Sequence, residues 1–104
     1  MHARFARYAF KGEAHEIARR AEEGMLPIFQ SQPGFKAYSI FESDGEIFSF
    51  SAWESADAAE AANKASAQWV AENLADKVQL KESRIGEIHL STALGVSQAA
   101  GVRA

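Results

Sequence analysis

Residues 35–53 read FKAYSIFESDGEIFSFSAW, two aromatic-rich runs joined by Ser43-Asp44-Gly45. An Asp-Gly pair between two such runs is the strongest short-range indication of a β-hairpin. In the second run an apolar set alternates with a more polar set, Phe48, Phe50 and Ala52 against Ile47, Ser49, Ser51 and Trp53. We expect the apolar set to lie under a helix and the polar set to face solvent or a polar cavity.

A helix is predicted on each side of this hairpin. Before it, apolar residues recur at helical spacing from Ala14 to the turn at Gln32-Pro33-Gly34. Pro27 lacks a backbone N–H, and we expect it to kink or loosen this helix near Glu23. After the hairpin, Ser55 is suited to cap a second helix. The predicted inner face of that helix is mostly small: Ala59, Ala62, Ser66, Trp69 and Asn73.

Strands are also predicted near both ends, over residues 2–10 and 85–90. The β-α-β-β-α-β order predicts an α+β ferredoxin-like sandwich, an antiparallel sheet with both helices on one face. Its other face is left bare, so we expect a two-fold homodimer that packs sheet against sheet as a dimeric α/β barrel. We place this domain in residues 1–91 and interpret residues 92–104 as a C-terminal tail or dimer arm.

Composition argues against several classes of function. The 104 residues carry 11 Lys and Arg against 14 Asp and Glu, a net charge of −3, without a basic stripe for nucleic acid. No cysteine is present, and the three histidines lack metal-binding spacing, so we expect neither disulfides nor a metal site. The sequence shows no leader-like or membrane-spanning run, which predicts a cytoplasmic protein without a membrane partner.

Three segments resemble the antibiotic-biosynthesis monooxygenase family of dimeric α/β barrels: Gln32-Pro33-Gly34-Phe35, the Asp-Gly hairpin, and Trp53-Glu54-Ser55 before an Ala-rich helix. The resemblance covers residues 2–91 and implies the barrel fold and a homodimer. Members that oxidise aromatic polyketides need no cofactor, and the Trp of their Trp-Glu-Ser segment contacts the substrate. The resemblance implies this role for Trp53, whereas the Asn and Tyr that accompany it are Ser49 and Ala59 here.

Haem-degrading members of the same family differ more from this chain. They use an Asn on the first strand, with a Trp and a His on the second helix. The first strand here offers Arg4 instead, and Ala62 and Glu72 occupy the two helical positions. The resemblance therefore favours the cofactor-independent members over the haem degraders.

Four residues form the best constellation for a small aromatic ligand. Trp53, Tyr38, Ser49 and Trp69 combine aromatic walls with hydroxyl groups, which a planar and weakly polar ligand needs. The same residue types suit a structural core with a dimer seam equally well. The sequence leaves both interpretations open.

Four further residues are weaker candidates. His89, on the predicted last strand, is suited to act as a base at neutral pH. Arg84 and Asn73 are suited to orient a phenolate or carboxylate, and Asn63 to face the cavity. The alternative for each of them is an ordinary solvent-facing side chain, with Arg84 in a surface ion pair.

These features predict a cofactor-independent monooxygenase-like protein that acts on a small phenol or anthrone. Trp53 and Tyr38 would stack on the substrate, Arg84 or His89 would assist its deprotonation, and the resulting anion would itself activate oxygen. Two alternatives stay open. A non-catalytic ligand-binding or stress-associated barrel would retain a ligand without turnover, and a purely structural homodimer would bind nothing.

Overall fold

The computed structural model describes residues 1–98, and it confirms the predicted fold and element order. The elements are β1 (His2–Phe10), α1 (Ala14–Ser31), β2 (Phe35–Ser43), β3 (Glu46–Trp53), α2 (Ala56–Asn73) and β4 (Val78–Glu87). All neighbouring strands pair antiparallel in the order β2-β3-β1-β4, and both helices pack on one face of this sheet. Within residues 1–98, neither helix is long and apolar enough to cross a membrane.

The predicted hairpin is confirmed in detail. Ser43 pairs with Glu46, so only Asp44 and Gly45 form the turn. Their φ angles are 50° and 78°, the left-handed values that a type I′ turn requires at both central positions. Glycine and aspartate tolerate such angles better than most residues. Asp44 and Gly45 therefore determine the register of β2 against β3.

The last strand differs from its predicted limits. It begins at Val78 and ends at Glu87, so it does not extend to residue 90. It pairs with β1 along its whole length, with one irregularity between Arg7 and Tyr8. As an edge strand it can expose polar side chains, and for this reason hydrophobic alternation was a poor guide to its extent. The predicted tail begins beyond it, and residues 99–104 of that tail lie outside the described residues.

Both helices begin and end near the expected residues. Helix α1 runs without interruption through Pro27 to Ser31. Glu23 is exposed, so the carbonyl that cannot pair with Pro27 is available to solvent. Helix α2 starts after Ser55, whose Oγ accepts a hydrogen bond from the Ala58 N–H at 3.1 Å. This is the predicted cap, and it satisfies one of the free donors of the first turn.

The prediction for the faces of β3 was wrong about which set lies under the helices, but right that the more polar set faces a cavity, which Ile47 and Ser49 line. Ile47, Ser49, Ser51 and Trp53 are buried beneath the helices, with Ile47 and Trp53 in the two halves of the core. Phe48 lies on the opposite face, where its ring stacks on Phe41 at 4.9 Å between centroids. The serines belong under the helices because their small side chains leave room there for larger groups from α1. The large rings stay on the face that no helix of this chain covers.

That uncovered face carries an aromatic row. Phe5 lies beside Phe48 with ring centroids 6.2 Å apart, and Phe41 continues the row while 56% exposed. At its border, Arg7 forms ion pairs with Glu46 at 2.6 Å and with Glu82 at 3.5 Å. A contiguous aromatic surface of this kind marks an interaction site in most proteins that display one.

Candidate functional site

A narrow cavity lies between the helices and the sheet, where the two halves of the core meet. Side chains of α1, including Ile17 and Met25, form its apolar side. Its polar side carries four hydroxyl groups, from Tyr8, Tyr38, Ser49 and Ser66. The cavity volume is about 30 Å³, which suits about one or two water molecules. An aromatic ligand would therefore require the cavity to widen.

Tyr38 is held on the polar side by packing and by burial. Its ring meets that of Phe29 edge-on at 4.9 Å between centroids. Burial raises the pKa of Tyr38 to about 12, and the neighbouring Tyr8 adds to the effect, whereas Arg4 and a hydrogen bond with Ser49 oppose it. The phenol is therefore protonated at neutral pH and available as a hydrogen-bond donor.

Arg4 stands behind these hydroxyl groups, and sequence reasoning missed it as a site residue. It projects from β1 and is only 2% exposed. Its Nε donates to Asn63 Oδ1 at 2.9 Å, and its Nη2 donates to Ser66 Oγ at 3.0 Å and Tyr8 OH at 3.5 Å. Its Nη1 is buried and has no acceptor among the described residues. The available signal was strand parity, because Arg4 shares its face with the buried Ala6.

Asn63 is part of the same network. Its Oδ1 accepts from Arg4 and also from Ser83 Oγ, at 3.1 Å. The side chain thus links β1, α2 and β4, and its amide oxygen is directed to Arg4. Asn63 supports the polar side of the cavity without lining it.

Trp53 lies deeper in the core than a substrate contact requires. It is fully buried, and its Nε1 donates to Ser51 Oγ at 2.9 Å. Its ring meets Phe29 at 5.2 Å and Phe35 at 5.4 Å, both in edge-to-face geometry. It does not line the cavity. In this conformation Trp53 packs the layer next to the site.

Trp69 lies between the cavity and a hollow on the surface. Its half-buried indole lines the cavity on one side and an open surface hollow on the other, which it shares with Arg20 and Asn73. The indole lies directly against Gly24 of α1. A rearrangement of this one side chain would join the cavity to the surface.

Three predicted residues lie away from the cavity. Arg84 is on the uncovered face of the sheet, where it is 76% exposed and forms an ion pair with Glu82. His89 lies beyond the end of β4, is exposed, and accepts a hydrogen bond on its backbone carbonyl from Gln98 Nε2 at 3.1 Å. Asn73 ends α2 and donates to the Trp69 carbonyl at 2.9 Å. The structure brings Tyr38, Ser49 and Trp69 together, but not these three.

Other sites within residues 1–98 are less well formed. A larger hollow of about 510 Å³ lies beside Phe10 and Lys11, but it is open to solvent and formed by strand ends and connecting residues in equal number. Among the described residues, no three His, Asp or Glu side chains converge as a metal site would require. The cavity beneath Trp69 is therefore the candidate site.

Solved structures of other proteins share this fold. The cofactor-independent oxygenase SnoaB from Streptomyces nogalater superposes with a TM-score of 0.68 at 17% identity, over 88% of this chain and 95% of its own. The ActVA-Orf6 monooxygenase of Streptomyces coelicolor, solved with the ligand nanaomycin D, gives 0.63 at 19% identity, over 86% and 92%. Rv0793 from Mycobacterium tuberculosis gives 0.66 at 16% identity, over 88% and 97%. At these identities the similarity establishes the fold.

The sequence itself supplies the assignment to a family. No curated protein matches the chain significantly. The sequence pattern described as antibiotic biosynthesis monooxygenase matches residues 1–71, which contain β1, α1, the hairpin and most of α2. That region supplies all the hydroxyl groups on the polar side of the cavity, together with Arg4 and Trp69. The chain belongs to the antibiotic biosynthesis monooxygenase family.

Proposed function

We propose that the protein is a cofactor-independent monooxygenase that acts on a small aromatic compound of the phenol or anthrone type. The observation that carries this proposal is the cavity, whose largely apolar lining includes four residues with hydroxyl groups. Such a combination suits a planar ring with one ionisable oxygen. Family membership supports the reaction class, as does the fold shared with SnoaB, which is a cofactor-independent oxygenase.

The polar side of the cavity is suited to stabilise the anion of a phenol. Tyr38 donates from a protonated hydroxyl, and Ser49 and Ser66 offer further donors. None of the cavity-lining residues is Asp, Glu or His. The site would therefore promote ionisation by stabilising the phenolate, with the released proton passing to solvent. Neither Arg84 nor His89 lines the cavity, and both are exposed.

In the reaction that follows, the substrate anion itself would react with oxygen. The electron-rich anion gives one electron to O₂, and the resulting radicals combine to form a carbon–oxygen bond. The peroxide anion takes up a proton from solvent, and the resulting hydroperoxide loses water, so that the ring CH₂ group of an anthrone plus O₂ becomes C=O plus H₂O. One oxygen atom enters the product, and the other leaves in water with the two hydrogens of the carbon.

Substrate entry requires the cavity to widen, and Trp69 is the side chain whose displacement would achieve this. The indole lies between the cavity and the surface hollow, so its movement away from Gly24 would open a path from solvent. Closure over the substrate would then exclude water, which strengthens the hydrogen bonds to the anion.

We further propose that the protein is a homodimer that packs sheet against sheet. The aromatic row of Phe5, Phe41 and Phe48 is the surface for this contact. A second copy supplies a self-complementary cover for an uncovered sheet face, and typical members of the family are dimers.

Oxygen uptake tests the proposed reaction. The protein is incubated in air with a panel of phenols and anthrones, and dissolved oxygen and products are followed. We expect uptake with at least one anthrone, with one oxygen atom from ¹⁸O₂ in the product. Tyr38→Phe should lower the rate by about tenfold or more, because it removes a donor to the anion.

Two further measurements are a control variant and a test for the alternative function, ligand binding without turnover. Ser43→Ala removes an exposed hydroxyl in the hairpin and should leave the rate unchanged. Native mass spectrometry of the same protein shows whether it retains a ligand. Uptake at background throughout, with an aromatic ligand retained, would instead favour a binding protein without turnover.

A further inference from the structure

The guanidinium of Arg4 is a buried cation without a counter-charge among the described residues. No ion pair formed within residues 1–98 includes it. Its three hydrogen-bond acceptors are neutral, and its Nη1 has none. Arginine keeps its charge in proteins, and an unpaired buried charge is unfavourable. The fold therefore holds this cation at a cost in stability.

The position of Arg4 relates this charge to the cavity. Ser66 and Tyr8 accept its hydrogen bonds and also line the cavity. Its charge also reaches the phenol of Tyr38, whose pKa it lowers against the larger effect of burial. No acidic side chain lines the cavity to compensate for it. An anionic oxygen bound beside Tyr38 and Ser66 would supply the missing counter-charge.

We propose that the cavity selects aromatic ligands that carry an ionised oxygen, and that Arg4 is the residue that determines this selectivity. The inference rests on the proposed function, which assigns this cavity as the binding site for an aromatic compound. It adds that the bound compound carries a negative charge. An arginine beside a carboxyl group raises its acid dissociation constant by about tenfold to a thousandfold, and a nearby cation favours an ionised phenol in the same direction. Neutral molecules of the same shape lack this attraction between opposite charges.

Two sets of probes test this selectivity. The first is 4-nitrophenol, titrated with pH while the absorbance of its phenolate is followed in the bound state. Because burial opposes ionisation here, as it does at Tyr38, the contribution of Arg4 is a difference between proteins: the acid dissociation constant of the bound probe should be about tenfold or more higher in the wild type than in Arg4→Met. The second set is benzoate and benzamide, which have nearly the same shape. Benzoate should bind at least about tenfold more tightly by calorimetry.

Matched variants assign the effect to Arg4. Arg4→Met keeps a long apolar stem without the charge, and it should abolish both preferences. Arg19→Met makes the same change in charge on the exposed face of α1, where Arg19 pairs with Glu16, and should leave both preferences intact. If Arg4→Met does not fold, Arg4→Lys serves in its place and should retain a weaker preference for the anion.

Three outcomes would overturn the inference: equal binding of benzoate and benzamide, an anion preference that persists in Arg4→Met, or no binding of either anionic probe. Oxygen uptake separates the inference from the proposed function. Background uptake with the anion preference intact defeats the monooxygenase proposal and leaves the inference standing. Turnover of phenols without any preference for the anion defeats the inference alone.

Discussion

A Cβ atom added to Gly24 would lie 2.5 Å from Cζ2 of Trp69, so α1 and the indole on α2 meet with no room for one methyl group. Gly24 is inside a helix, where glycine is usually less favourable than alanine. The contact explains its presence, because only glycine lets the indole lie against the backbone of α1. The position of Trp69 over the cavity therefore depends on the absence of a side chain at Gly24.

Gly24→Ala should destabilise the protein by about 1–3 kcal/mol, because the indole must move to admit the methyl group. In an unobstructed helix the same change stabilises by about 1 kcal/mol. Urea unfolding gives the free energy, and tryptophan fluorescence reports the displaced indole. In a Trp69→Leu background the clash disappears, so there Gly24→Ala should stabilise. A stabilised single variant would show that Trp69 adapts at little cost.

Ser51→Ala should cost about 1–3 kcal/mol, because it leaves the buried N–H of Trp53 without an acceptor. The measurement is the free energy of unfolding in urea. In a Trp53→Phe background, where that donor is gone, the same substitution should cost much less. Ser43→Ala, at an exposed position, serves as the control. Equal costs in both backgrounds would argue against the hydrogen bond.

The pKa of Tyr38 should be higher in the folded protein than in the unfolded chain. The absorbance component that Tyr38→Phe removes should have its midpoint at about pH 12 in the folded protein and near 10 in urea. The folded state keeps this proton to a higher pH than the unfolded chain does. The resulting stability is therefore fully present below pH 10 and is lost between about pH 10 and 12. A midpoint near 10 in the folded protein would place the phenol in solvent.

Phe48→Glu should convert the proposed dimer to a monomer. The substitution places a charge in the centre of the aromatic row, beside Phe5 and Phe41, where a second sheet would bury it. Sedimentation velocity measures the association state. Ile28→Glu, at an exposed position of the helix layer, should leave the dimer intact. A monomeric wild-type protein, or a Phe48→Glu variant that still dimerises, would contradict the sheet-to-sheet arrangement.

Local sequence determined much of the fold but only part of the site. Asp44-Gly45 and Ser55 act through their own neighbours, so hairpin and cap could be predicted without knowledge of the tertiary structure. The faces of β3 could not, because both alternating sets contain large apolar residues and the choice depends on which set α1 packs against. In the sequence, Arg4 resembles a charged surface residue. Its burial depends on α2, which supplies Asn63 and Ser66 as hydrogen-bond acceptors. Burial of a charge is decided by partners distant in sequence.

Because the Trp69 indole lines both the cavity and the surface hollow, a ligand that enters by displacing it would also leave by that step. A barrier of that kind slows association and dissociation by the same factor. Trp69 would then set the residence time of a bound molecule, while the walls of the cavity set its equilibrium affinity. The protein could thus hold a reactive anion long enough for oxygen to reach it, without binding it more tightly.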